Sequence, residues 1–121
     1  MSRIFTVAEA RGTLAQLRPA LDDFVRLRAD AAEINAAVQA GDSSPLGGRA
    51  ELKAAEARCN DILAAVQAAG VEVKGFAPLL LDLPAELDGL PVLLCWLEGD
   101  AEVAWYHRRD LGFLGRRPLA S

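Results

Sequence analysis

The chain has 121 residues, a length at which one hydrophobic core is self-sufficient, and its 52% apolar and 25% charged residues are the composition of a globular domain. A formal net charge of −4 argues against nucleic acid as the default partner, and no run of about 18 apolar residues is present to span a membrane. The opening "MSRIFTVAEARG" lacks the apolar middle of a secretory signal, and two cysteines, Cys59 and Cys95, are too few for a disulfide framework. A cytoplasmic protein with buried thiols is the expectation.

In chain order, Thr6 followed three residues later by Glu9 is a capping box, in which hydroxyl and carboxylate each satisfy a backbone amide, with Phe5 placed to staple onto Ala10. A helix is predicted from about Val7. Pro19 removes an amide donor and disfavours helical dihedrals at Arg18, which predicts a short leading helix to about Leu17 and a second helix with Pro19 in its first turn. Leu21, Phe24, Leu27, Ala31, Ile34 and Val38 then recur at steps of three and four, one stripe of a helix. "GDSSPLGG" supplies turn chemistry from Gly41 to Gly48. Beyond it Leu52, Ala55, Cys59, Ile62, Val66 and Ala69 keep a heptad seam until Gly70 caps the helix. These two helices make an antiparallel hairpin.

From Val71 the pattern changes to "VEVKG", "PLLLDLPAE", "PVLLCWLEG" and "AEVAWYH", short segments rich in leucine, valine and aromatics, with Asp88-Gly89 and Gly99-Asp100 as turns. Helices followed by strands indicate α+β. The predicted assembly is a single domain: a helical hairpin over about 6–69, with the short leading helix, packed on a four-stranded antiparallel meander over about 71–107, then a tail at 108–121. An even-length turn around Gly99-Asp100 would set Leu94 opposite Trp105 and Trp96 opposite Val103. Val92, Leu94, Trp96, Val103, Trp105 and His107 would then share the core face, and Leu93, Cys95, Leu97, Glu102, Ala104 and Tyr106 the other. That second face is too apolar to be wet. It predicts a homodimer through this face, the heptad helices or both, with the alternative that residues 111–119 fold back over it.

The chemistry-bearing residues are few. Cys95 and His107 fall on opposite faces in this register and there is no CxxC or HxxxH pair, so no metal site and no cysteine–histidine nucleophile is expected. No glycine pattern cradles phosphate, and no cofactor is expected. Asp82 stands among leucines in "LLLDLP", a costly place for a carboxylate unless it is paired, with Lys74 or Arg116 as partner. His107 ends an apolar strand ahead of the tail, whose four arginines against Asp110 give a local charge of +3 and leave −7 elsewhere. A solvated tail that pairs with the acidic helices is the simplest use of it. A pocket of Asp82, His107 and Arg116 is the sharper one.

"FTVAEA", Val73-Lys74, "LDLPA", Asp88-Gly89, "VLLCW", Gly99-Asp100, His107 and the terminal "GFLGRRPL" together resemble an uncharacterised prokaryotic family, domain-of-unknown-function family 2203, from Phe5 to Leu119. The resemblance implies a bacterial origin and no particular activity. The chain departs from the family's pattern at Leu79, Leu83 and Leu90, which replace a glycine, a phenylalanine and an arginine, at Asp100 for a glutamate, and at the exchanged pair Trp105-Tyr106. The pattern retains Lys74, Asp82, Asp100, His107 and Arg116, which are taken as the candidate binding residues. The leading expectation is an interaction or regulatory module with a protein partner. The alternative is a small enzyme or anionic-ligand binder using Asp82, His107 and Arg116.

Overall fold

The computed structural model describes residues 3–120. Two helices, α1 (Val7–Ala40) and α2 (Arg49–Ala68), precede five strands: β1 (Glu72–Phe76), β2 (Leu79–Leu87), β3 (Leu90–Leu97), β4 (Trp105–Arg108) and β5 (Arg117–Pro118). A single 3-10 turn, Phe113–Gly115, lies between the last two. The class is α+β, and the strands form one antiparallel sheet in chain order, with five strands where the sequence pattern indicated four. Among the described residues no helix is long and apolar enough to cross a membrane.

The expected short leading helix is not separate. It is the first part of α1, which runs unbroken through Pro19. Proline inside a helix costs about 3 kcal/mol. Against that, Ala10, Leu14, Leu21, Phe24 and Leu27 keep one helical phase across the proline and are all buried, and each large apolar side chain buried contributes about 1.5–3 kcal/mol. Burial outweighs the break, and Pro19 sits on the exposed side. The capping box forms as expected: Thr6 N–H donates to Glu9 Oε1 at 2.9 Å and Glu9 N–H to Thr6 Oγ1 at 3.0 Å.

Contacts divide the chain into two compact units, one of residues up to Leu17 together with those from Val66 onward, the other Arg18–Ala65. The second unit is the helical hairpin. Its predicted stripe is the inner side, with Leu21, Phe24, Leu27, Ile34 and Ala55 buried and Leu52, Cys59 and Ile62 half-buried. The turn at its tip is closed by Gly47 N–H donating to the Ser44 carbonyl and by Glu51 Oε1 accepting from Gly48 N–H. Gly47 has φ 122°, and Glu51 occupies the space a Cβ would need, so glycine is required there.

The first unit holds the sheet. Phe5 lies beside Ala85 in a parallel bridge, on the stretch of β2 that β1 does not cover, and donates its N–H to the Pro84 carbonyl at 2.7 Å. The hairpin between β2 and β3 turns on Asp88 (φ 51°) and Gly89 (φ 79°), the predicted Asp-Gly turn. The register between β3 and β4 differs from the expected one by one residue: Cys95 pairs with Trp105, Leu94 with Tyr106, Leu93 with His107. Residues 101–104 are not strand. Arg11 holds them, donating Nε–H to the Val103 carbonyl at 3.0 Å and approaching Glu102 at 3.4 Å, so these groups are withdrawn from the ladder.

A one-residue slip moves every side chain of a strand to the opposite face. Trp105 and His107 therefore leave the core face and join Leu93 and Cys95. One face carries Leu81, Leu83, Ala85, Val92, Leu94 and Trp96, all buried. The other carries Asp82, Pro84, Leu93, Cys95, Trp105 and His107. This second face is covered within the chain: Asp82, Leu93, Cys95 and His107 are at most 3% exposed. The tail folds back beside β4 and adds the fifth strand at the sheet edge, where the alternative expectation had laid it over the face. Trp105 pairs with Pro118 and Tyr106 with Arg117, and Leu119 N–H donates to the Ala104 carbonyl at 2.9 Å.

Candidate functional site

The second sheet face brings ionisable side chains together from three strands and the tail. Asp82 sits mid-strand on β2, opposite Cys95 on one side and Glu72 on the other. A register shift between Val73 and Gly75 makes Lys74 the extra residue of a bulge, which re-aims its side chain. Lys74 Nζ bridges Glu72 Oε1 at 3.3 Å and Asp82 Oδ2 at 3.6 Å. From the turn after β4, Arg109 reaches Glu72 Oε2 at 3.6 Å. The chain of charges thus runs from half-exposed Arg109, Glu72 and Lys74 to buried Asp82.

His107 completes it. Nε2 lies 3.2 Å from both carboxylate oxygens of Asp82, and Nδ1 lies 2.9 Å from the Arg108 carbonyl. A carbonyl only accepts, so Nδ1 donates to it. The side chains of both residues are 3% exposed, so the pair is closed to solvent. Every polar atom of the ring is used inside the chain, and none is left to meet a substrate.

Cys95 shares this face, correcting the expectation that it and His107 point apart. It is a poor nucleophile for a different reason. Burial pushes its thiol up to about 11, the charge of Asp82 adds to the shift, and Arg116 partly offsets it. Cys59, on the helical seam, is likewise raised by burial. Among the described residues no three of His, Cys, Asp and Glu converge as metal ligands.

The other two candidates lie elsewhere. Asp100 shapes the turn after β3: its carboxylate accepts Leu97 N–H at 3.0 Å and its carbonyl accepts the Trp96 indole N–H at 2.9 Å. Arg116 forms no ion pair with Asp82. Its guanidinium lies 4.5 Å from the Trp105 ring centroid and 4.7 Å from that of Phe113. Of the tail arginines, Arg108 meets Asp110 at 2.9 Å and Arg109 meets Glu72 at 3.6 Å. Of the five candidates the fold unites Lys74, Asp82 and His107. Sequence reasoning missed Glu72, legible as the strand neighbour two positions from Lys74 on the same side. It also missed Arg109, whose turn carries no such signal.

Residues 3–119 match the family model described as "Uncharacterized conserved protein (DUF2203)". The chain belongs to this family. No curated protein and no solved structure matches it. In this DUF2203 protein the resembling segments meet on one sheet: "LDLPA" brings Asp82, "VLLCW" brings Cys95, and "GFLGRRPL" brings Phe113 and Arg116.

Proposed function

We propose that this protein is a non-catalytic interaction module whose docking end is formed by the β2–β3 turn and the tail. The observation that carries the reading is that the three most exposed leucines among the described residues lie there. Leu90 is 62% exposed, Leu111 51% and Leu114 96%. Leu90 and Leu111 line a cleft of about 190 Å³ whose wall also carries Asp88, Arg108, Arg117 and the buried ring of His107. That is smaller than the roughly 300 Å³ at which pockets begin to enclose small-molecule ligands, and it suits a single apolar side chain of another protein. Apolar patches of this kind mark association surfaces. The closed Asp82–His107 pair and the protonated Cys95 support a structural rather than catalytic use of the polar face.

The setting we propose is the cytoplasm, supported by two free thiols. The expected homodimer loses its first argument, since the second sheet face is covered within the chain. A photo-crosslinking residue at position 114 of the full chain, in cells, is expected to give one discrete adduct that Leu90→Asp abolishes. An adduct of twice the chain's mass, with light scattering reporting a dimer, assigns the end to self-association instead. No adduct at 114 beyond that of a probe at exposed Ala15 removes the reading.

A further inference from the structure

Beside the paired groups of the charged sheet face, Arg116 is a cation that meets no carboxylate among the described residues. Asp82 is balanced by Lys74 and His107, and Glu72 by Lys74 and Arg109. The Arg116 guanidinium lies against the faces of Trp105 and Phe113. Stacking on two rings uses the flat faces of a guanidinium and leaves its edge of N–H donors free to bond. Among the described residues no buried side-chain nitrogen or oxygen lacks a partner, so these donors face water. The half-buried side chain is held between β4 and the 3-10 turn, so little freedom remains to be lost on binding.

We infer that Arg116, clamped by Trp105 and Phe113, is a preformed site for one oxyanion group, a carboxylate or a phosphate. The flat fork of donors matches two oxygens of such a group side by side, which a lysine ammonium does not. The site is separate from the leucine cleft, and either can fail without the other. A single half-exposed guanidinium sets the scale, a dissociation constant of about 1–10 mM.

The test is a titration of the isotope-labelled full chain with inorganic phosphate, and separately with acetate, at ionic strength held constant with chloride. The resonances followed are the Trp105 indole N–H and the Arg116 Nε–H. Saturable shifts confined to these two groups, weakened at least fivefold by Arg116→Lys and abolished by Arg116→Ala, are the expected result. The two probes show which oxyanion the fork prefers. If Arg116→Ala loses spectral dispersion, Arg116→Lys, which keeps the charge and the stem, carries the comparison alone. No saturable shift by 50-fold excess over about 1 mM, or shifts equal in wild type and Arg116→Lys, overturns the inference.

Discussion

At their centres the two faces of the sheet are buried to the same degree and held by different physics. On one, Leu81, Leu83 and Leu94 are fully buried and Trp96 is 2% exposed; on the other, Asp82 is 2% exposed, His107 3% and Cys95 1%. The first face is stabilised by apolar area, which any well-fitting hydrocarbon supplies. The second is stabilised by mutual compensation of groups that would each be costly alone. Equal burial therefore implies unequal tolerance. A leucine on the first face depends on its volume, and Asp82 on the presence of Lys74 and His107.

The largest expected effect tests that dependence. Asp82→Ala strands His107 beside an empty site and is expected to cost about 3–5 kcal/mol, read as a lower urea midpoint at unchanged slope. Asp82→Leu combined with His107→Leu is expected to recover most of the loss, because two apolar groups leave nothing unpaired. A double variant as unstable as the single one breaks the comparison. Next, Leu83→Ala is expected to cost about 2–5 kcal/mol, with no recovery from removing any polar neighbour. A smaller effect concerns Cys95. With its thiol pushed up to about 11, alkylation of the folded protein at pH 8 is expected to be slower than in urea by about two orders of magnitude. Its folded pKa lies above the ordinary value of 9.0. Stability is therefore intact below pH 9 and falls as pH rises from about 9 through about 11, a slope that Cys95→Ala flattens in thermal melts. The smallest effect lies off both faces. Thr6→Ala is expected to cost about 1 kcal/mol. The Thr6 amide and hydroxyl hold the Glu9 carboxyl below its ordinary 4.5, a contribution present above that pH and lost as pH falls through the lowered value. Thr6→Ala weakens that acid-side loss.

What was legible in the sequence was local. The capping box, the helical seam, the Asp-Gly turn and the Gly70 cap each depend on residues within one or two turns of one another. Asp82 announced itself as a carboxylate among leucines, and Lys74, one hairpin away, was a correct partner. The register of β3 against β4 was not legible, because Arg11 withdraws Val103 from the ladder and that contact spans 92 positions. The same slip reversed the faces of Trp105 and His107. Nor was β5, whose two residues include Pro118, a strand by any pattern. Pro19 was read by its local cost, and the burial on either side of it, which decides the matter, is a sum over the whole helix.

Chain order gives the Asp82–His107 pair a kinetic consequence. The pair joins residues 25 positions apart, with β3 and a non-strand segment between them. Leu83 and Leu94 come together across a two-residue turn and gain from contact at once. Asp82 has only half-exposed Lys74 as a partner until His107 arrives to close the site, so the apolar face is expected to condense first and the charged one to close after the transition state. Folding then has a polarity: Leu83→Ala slows folding, with a φ-value well above one half, whereas Asp82→Ala leaves the folding rate nearly unchanged and accelerates unfolding. On that view the charged face is the latch that sets how long the native state lasts, and the leucines set how soon it forms.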